Sequence, residues 1–387
     1  MGSVWSALGL EGEKYDPREG LDSPDVAPRA FGEEERKELT EQFSDGSTVL
    51  CYGEEAYRLN RNACWNWCAV GNPAAIVVVR SANDAAATVR FARAKGYVPC
   101  VAGGRHSMKC MVQDSLVIDL GQLAEVHVDA ERKLVRVQGG AKLGAMDAAC
   151  AAHNLAVVAG HNPDTGVGGL TLAGGVGHLT RKYGLTVDWL VEAEVVLPSG
   201  EVVRATADNE YSDLMWGLKG GGGNFGIVTE FVFEAQKVPS EMLVLTHVLF
   251  AVPFIFSPPM ESGKRIAHLI RDELSRDVAP MLIMPCGGPL VVMAVHTSED
   301  HELARKELGA IQESASWSPV SSISSKNYHS GVQQIVGGPD HDPAMYYMRG
   351  TVLETMTDEI LDELWAATRE PGYKGSTVIV MYMEGAL

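Results

Sequence analysis

Apolar and polar positions along the chain follow two periods, and the switches between them outline the elements. Ala85, Val89 and Ala92 share one face at helical spacing, which predicts a helix from Asp84 to Lys95, capped by Asn83 or Asp84 and stopped by Gly96. A strand from Tyr97 to Ala102 then runs into the turn Gly103-Gly104-Arg105-His106-Ser107. Strands follow at Leu116 to Leu120 and Leu134 to Gln138, then a short helix from Gly144 to His153, a strand from Ala156 to Ala159, and a long loop from Gly160 to Gly177. Val191 to Leu197 and Glu201 to Ala205 read as a hairpin across Pro198-Ser199-Gly200, and Phe225 to Ala235 as a strand after four glycines.

Beyond about Pro239 the pattern changes to longer strands, Met242 to Ala251 and Leu290 to His296, alternating with amphipathic helices. Ala304, Leu308 and Ile311 share one helical face; Ile360, Leu361, Leu364 and Trp365 share another. That is the pattern of a sheet covered by helices, a unit distinct from the first. Ser376 to Gly385 is a last strand candidate. No internal repeat and no low-complexity tract interrupts the series.

Composition adds limits. With 387 residues, 46% hydrophobic and 21% charged, the chain has globular composition and length for two domains. A net charge of −18 repels phosphate backbones and anionic headgroups, so nucleic acid is not an expected partner. Every long apolar stretch is broken before the ~18 residues a membrane span needs. Met1-Gly2-Ser3-Val4-Trp5-Ser6 fits the pattern for N-myristoylation, but residues 1–50 hold five basic and twelve acidic side chains and read as an acidic arm. Seven scattered cysteines, an odd number, and no basic region followed by an apolar core at the N-terminus predict a cytoplasmic, mostly reduced chain.

Glycine locates the chemistry: residues 101–230 hold 21 of the 41 glycines, in loops bounded by strands, where backbone amides can approach an anionic ligand. The dinucleotide fingerprint G-x-G-x-x-G fails, because its sixth position is Thr171 counted from Gly166 and Thr180 counted from Gly175. A phosphate loop is absent too, since Lys219 precedes its glycines. Cys64 and Cys68 form a lone pair with no second half, and the histidines lack zinc-ligand spacing, so no metal is expected.

Five tracts in order remain: PxxIVVVRSANDAAATVRFARAKG from Pro73, GGRHS, LVIDL, PxTGVGGLTLAGGVGHLTRKYGLTVD from Pro163, and SDLMWGLKGGGGNFGIVT from Ser212. Together they resemble the FAD-binding domain of the vanillyl-alcohol oxidase or p-cresol methylhydroxylase superfamily, nearest to the berberine bridge enzyme-like and oligosaccharide oxidase group. The resemblance covers about Pro73 to Val238. It implies an α+β fold: a two-subdomain FAD-binding domain of the p-cresol methylhydroxylase type over 51–238, after an acidic arm at 1–50. An antiparallel-sheet substrate domain covered by helices follows over 239–387, incomplete at its C-terminus relative to the family.

The resemblance also implies roles. The backbone of Ala102, Gly103, Gly104, Arg105, His106 and Ser107 would wrap the FAD pyrophosphate, and His106 would carry the flavin through its 8α carbon, a tether that favours hydride acceptance. Thr165, Gly166, Gly168 and Gly169 match pyrophosphate and flavin contacts, continued by Gly174 and Gly175; Ile227 and Val228 match a strand whose backbone meets the adenine or the flavin edge. Two departures stand out. Ala102 occupies the family's arginine position and Arg105 its last glycine, so Arg105 either supplies the positive charge itself or strains the loop if positive φ is required there. Asn162 stands where doubly linked members have a cysteine, implying a single tether. His296, Tyr346, Tyr382 and Glu384 are candidates to line the substrate pocket.

The implied reaction is hydride transfer from a small alcohol, sugar or secondary-metabolite substrate to FAD, with oxygen or another acceptor reoxidising the flavin; the catalytic base is not assigned. Two alternatives stay open: a non-catalytic or truncated flavin-binding protein, and a nicotinamide-dependent reductase on the same fold.

Overall fold

The computed structural model describes residues 27–66, 70–107, 109–250, 259–315, 318–335, 350–370, 372 and 376–383. Its first layer holds α1 (Glu33–Thr40), β1 (Thr48–Cys51), α2 (Glu55–Asn62), β2 (Ala75–Val78), α3 (Ala82–Lys95), β3 (Pro99–Ala102) and β4 (Leu116–Asp119). The sheet runs β1-β2-β4-β3, with β2, β4 and β3 parallel and β1 antiparallel at the edge. Strands buried on both faces need unbroken apolar runs, and Ala75, Ile76 and Val77 with Leu116, Val117 and Ile118 supply them.

The helix expected from Asp84 begins two residues earlier. Ser81 is its cap, its Oγ accepting from the Asp84 amide, while Gly96 closes it in the left-handed region at φ 71° as expected. Asp84 itself is buried and accepts from Ser44 and Ser47, tying α3 to the segment before β1. The strand expected from Tyr97 starts only at Pro99.

The second layer contains β5 (Val126–Asp129), β6 (Leu134–Gln138), α4 (Leu143–Ala151), β7 (Leu155–Ala156), α5 (Val167–Leu172), α6 (Thr180–Tyr183), β8 (Leu190–Val196), β9 (Val202–Thr206), α7 (Ser212–Leu218), β10 (Ile227–Glu234) and β11 (Gln236–Lys237). Five strands form an antiparallel sheet in the order β5-β6-β10-β8-β9. The expected hairpin is present, turning at Gly200 with φ 83°. Two expectations change. The strand at 156–159 shrinks to the short β7, paired with β11, and the loop from Gly160 to Gly177 contains α5. Small and β-branched residues mask that helix in the sequence, and tertiary packing overrides their weak propensity.

The third layer is β12 (Glu241–Leu249), α8 (Pro259–Asp272), β13 (Val278–Pro285), β14 (Leu290–His296), α9 (His301–Ser314), β15 (Ser321–Asn327), α10 (Asp358–Ala367) and β16 (Thr377–Met381). Its antiparallel sheet runs β15-β12-β14-β13-β16, and Ile266, Ile270, Leu308, Ile311 and Leu361 pack the helices over one face. The architecture is α+β, as expected.

Arg181 in α6 joins the second and third layers. Buried, its guanidinium donates to the carbonyls of Ile270 (2.9 Å), Leu274 (3.4 Å), Val278 (3.0 Å) and Ser275, gathering the acceptors left over where α8 ends. Among the described residues no helix is long and apolar enough to cross a membrane.

Candidate functional site

The site is built where two loops cross. β3 ends at buried Ala102, whose carbonyl accepts from Leu120 N, and the chain leaves the sheet as Gly103-Gly104-Arg105-His106. Gly104 meets Gly166 of the second loop so closely that a Cβ on Gly104 would lie 2.2 Å from the Gly166 nitrogen, and one on Gly166 would lie 2.4 Å from the Gly104 nitrogen. Only glycine fits either side. A Cβ on Gly103 or on Gly168 would stand 3.1 Å from the same carbonyl, that of Gly139, so the end of β6 joins the crossing. Beyond it, Gly169 is exposed, with open space where a side chain would be.

His106 projects at this crossing, half-buried. Its Nε2 lies 3.2 Å from the Asp164 carbonyl, and its ring stacks on Trp65 at 5.0 Å and 14°. The Trp65 amide donates to Arg105 O at 3.0 Å, holding the stack together from the backbone side. Because a carbonyl only accepts, this contact favours the Nε2–H tautomer of the neutral ring.

Arg105 takes the left-handed conformation, φ 57°. Its guanidinium turns inward, Nη2 donating to Oδ2 of buried Asp119 at 2.6 Å, and Asp119 also accepts from Asn60 Nδ2 at 2.6 Å and Gly121 N at 2.9 Å. Arg105 thus adopts positive φ, and its guanidinium pairs with Asp119. Asn162 forms an Asx turn, its Oδ1 accepting from Asp164 N at 2.9 Å, which shapes the loop facing His106.

Residues 73–206 match the family model described as an FAD binding domain. An FAD-linked oxidoreductase of Dictyostelium discoideum is 29% identical over 87% of this chain and 73% of its own length. An FAD-linked oxidoreductase of Aspergillus terreus is 40% identical over 54% of this chain and 42% of its own. Among solved structures, the glucooligosaccharide oxidase of Acremonium strictum superposes with a TM-score of 0.72 at 25% identity, covering 84% of this chain and 70% of that one. The chain is similar to FAD-linked oxidoreductases and carries a segment that matches their FAD binding domain. It spans about three-quarters of the length of the first relative and about two-fifths of the second.

The residues of this chain fit FAD on the structure's own terms. Glycines 103, 104, 166 and 168 let the two loops and the end of β6 meet backbone to backbone beside His106 and exposed Ser107, and Gly169 leaves open space there. Asn162 and Thr165 border the crossing, the Thr165 amide donating to Asn162 O. Gly174 and Gly175 adopt φ 104° and 79°, and their carbonyls accept from Val187 and Thr186, so their geometry is set by packing on residues 186–189. Ile227 and Val228 open β10 as buried strand residues paired with Val196 and Val195, and the Val228 carbonyl presses on Gly139 at the crossing.

Below the crossing lies a junction that sequence reading missed. Asp147 of α4 is buried; its Oδ2 accepts from Gln333 Nε2 (3.3 Å), which also donates to Gly160 O (3.1 Å). Burial pushes the Asp147 carboxyl up to about 7, against the Gln333 hydrogen bond that lowers it. His161 and buried His178 meet edge to face at 4.2 Å; burial holds His161 near 4 and His178 well below the usual imidazole range. Both are neutral at pH 7 and line a small cleft with Gly177, Ala279, Met281 and Tyr382. The one signal was a lone acid in the otherwise apolar helix LGAMDAACA.

Of the expected pocket residues, Tyr382 lines this cleft, whereas His296 does not. It is fully buried, its Nε2 2.9 Å from Glu307 Oε2, fastening α9 to β14. Tyr346 and Glu384 lie outside the described residues.

Proposed function

We propose that this chain carries FAD on a single covalent bond to His106 Nδ1 and oxidises a small alcohol, sugar or secondary metabolite. The observation that carries the reading is the placement of His106: its ring projects from the glycine crossing, stacked on Trp65, with Nε2 3.2 Å from the Asp164 carbonyl, and in the Nε2–H tautomer that contact favours, Nδ1 is the nitrogen that bonds to carbon. When bound, the flavin supplies hydride acceptance at N5. The chain's own part is positional. Trp65 fixes the imidazole plane, Asp164 favours its Nε2–H tautomer, and the Gly104–Gly166 crossing fixes the loop that bears it. Neutral His161 and His178 line a small cleft with Arg181, Ala279, Met281 and Tyr382 on the side of the third layer, where the substrate half meets the cofactor half.

The FAD of the Acremonium enzyme is 6-S-cysteinyl and 8α-N1-histidyl linked. Here the position expected for the cysteine is Asn162, whose side chain shapes the turn at Asp164, which supports one link only. Oxygen is the acceptor expected for an oxidase of this kind, and the domain division remains the one read above, with 51–238 holding the cofactor and 239–387 facing the substrate.

The test is acid denaturation of the purified chain followed by absorbance and intact mass. Retention of one FAD per chain, abolished in His106→Ala and mapped to the peptide bearing His106, is the expected result. Flavin released in full from the wild-type protein would overturn the tether, and a holoprotein that turns over no alcohol, sugar or amine would overturn the oxidation.

A further inference from the structure

Two thiols flank the loop that bears His106. Cys64 precedes Trp65, whose ring stacks on His106, and Cys110 follows His106 by four positions. Their sulfurs stand 3.6 Å apart, 1% and 3% exposed respectively, in a pocket of Tyr57, Ile76, Ala102, Met111 and Val117. The Cys110 Sγ also lies 2.9 Å from the Ser107 carbonyl, and Trp65 N donates to Arg105 O, so the two chain segments already run side by side. The other free cysteines among the described residues, at 51, 100, 150 and 286, make no sulfur-to-sulfur contact of this kind.

We propose that Cys64 and Cys110 are a redox-active pair that hydrogen peroxide converts to a disulfide, clamping the His106 loop to the Trp65 segment. Cys110 is the attacking sulfur. In the reduced pair the Cys110 thiol donates to the Ser107 carbonyl; the contact with Cys64 lowers its pKa most, burial opposes that, Arg105 lowers it further and Asp119 raises it, while the same contact and burial raise the pKa of Cys64. The Cys110 thiolate attacks one peroxide oxygen; the S–O bond forms, the O–O bond breaks, and hydroxide leaves to become water on taking a proton. The Cys64 sulfur then attacks the Cys110 sulfenic acid, the S–S bond forms, the S–O bond breaks, and a second water leaves with the Cys64 proton. Two thiols and one peroxide give one disulfide and two waters. Closing the bond needs the sulfurs to approach from 3.6 Å to ~2.05 Å, a movement side-chain rotation within the pocket can supply.

The proposal does not depend on the chain's own turnover, because the peroxide is supplied. Full-length protein, reduced and then treated with graded peroxide, is denatured, alkylated and mapped by peptide mass spectrometry. The expected result is a loss of about 2 Da per chain, a Cys64–Cys110 cross-linked peptide at the lowest peroxide concentration that changes any thiol, and full reversal by dithiothreitol. Cys110→Ser should lose the cross-link and leave Cys64 alkylated. The wild-type map decides the matter even where that variant folds poorly. Persistence of both thiols while Cys51 or Cys286 oxidises, or a cross-link from Cys64 to Cys68 instead, would overturn it.

Discussion

The crossing at Gly104 and Gly166 and the junction at Asp147, His161 and His178 come from one stretch of chain, residues 104–178, yet they are made of opposite materials. The crossing is backbone against backbone, open to solvent on the Gly169 side, and its specificity lies in the absence of side chains. The junction is side chain against side chain, and burial disfavours the charged forms of its polar groups. A site of the first kind tolerates no added atom. One of the second kind tolerates isosteres but responds to pH.

The sharpest way to break the contrast is at the crossing. Gly104→Ala places a Cβ 2.2 Å from a backbone nitrogen that cannot move aside, so we expect loss of about 3 kcal/mol or more and loss of bound flavin, read by thermal melting and the flavin-to-protein ratio. A variant that melts like the native protein with its flavin intact would show that the loops are not locked together.

At the junction the effect should depend on pH. The folded-state value of Asp147, about 7, lies above the ordinary 3.8, so the protonated carboxyl stabilises the fold. That contribution is complete below about pH 4 and is lost as the pH rises through 7. Asp147→Asn should therefore be more stable than the native chain at pH 8, on the order of 2 kcal/mol, with the difference vanishing near pH 4. His161 has the reverse dependence: held near 4, it contributes stability above pH 6.5 that falls away as the pH drops through 4. Urea unfolding of the native and Asp147→Asn chains across pH 4 to 8 separates the two, and an equal gap at every pH would refute the assignment.

A smaller effect sharpens the boundary between the regions. Arg105 combines backbone strain with a buried ion pair, so removing its side chain loses the Asp119 contact in both Arg105→Ala and Arg105→Gly. Only glycine relieves the left-handed conformation, and the glycine variant should exceed the alanine variant by about 1 kcal/mol in denaturant melts.

The same contrast explains what the sequence disclosed. Backbone sites leave a trace in composition, since nothing but glycine serves at 104 and 166, and the run GGRHS after an apolar strand announces the loop. β3 and β4 of the first sheet and the hairpin at Gly200 were legible because burial and turn chemistry act locally, whereas β1 and β2 were not among the expected strands. α5 was not, for Val167-Gly168-Gly169 has poor helix propensity and forms a helix only under tertiary contact. The junction was illegible for a further reason: Asp147 and Gln333 are 186 residues apart, and no local pattern pairs them. Arg105 shows the intermediate case. Its conflict with a glycine position was visible, but its resolution through Asp119 required the fold.

The Arg181 contact sets an order of events during synthesis. The acceptors for its guanidinium lie 89 to 97 residues downstream, so a nascent chain that has already emitted the whole first and second layers still carries Arg181 without them. Ala156, Val158 and Leu179, which pack against Met242, Val244 and Val295, wait uncovered for the same span. Translation that pauses before residue 270 would thus hold a nearly complete cofactor half with a sticky, positively charged flank, and a gene cut at 238 would make that pause permanent.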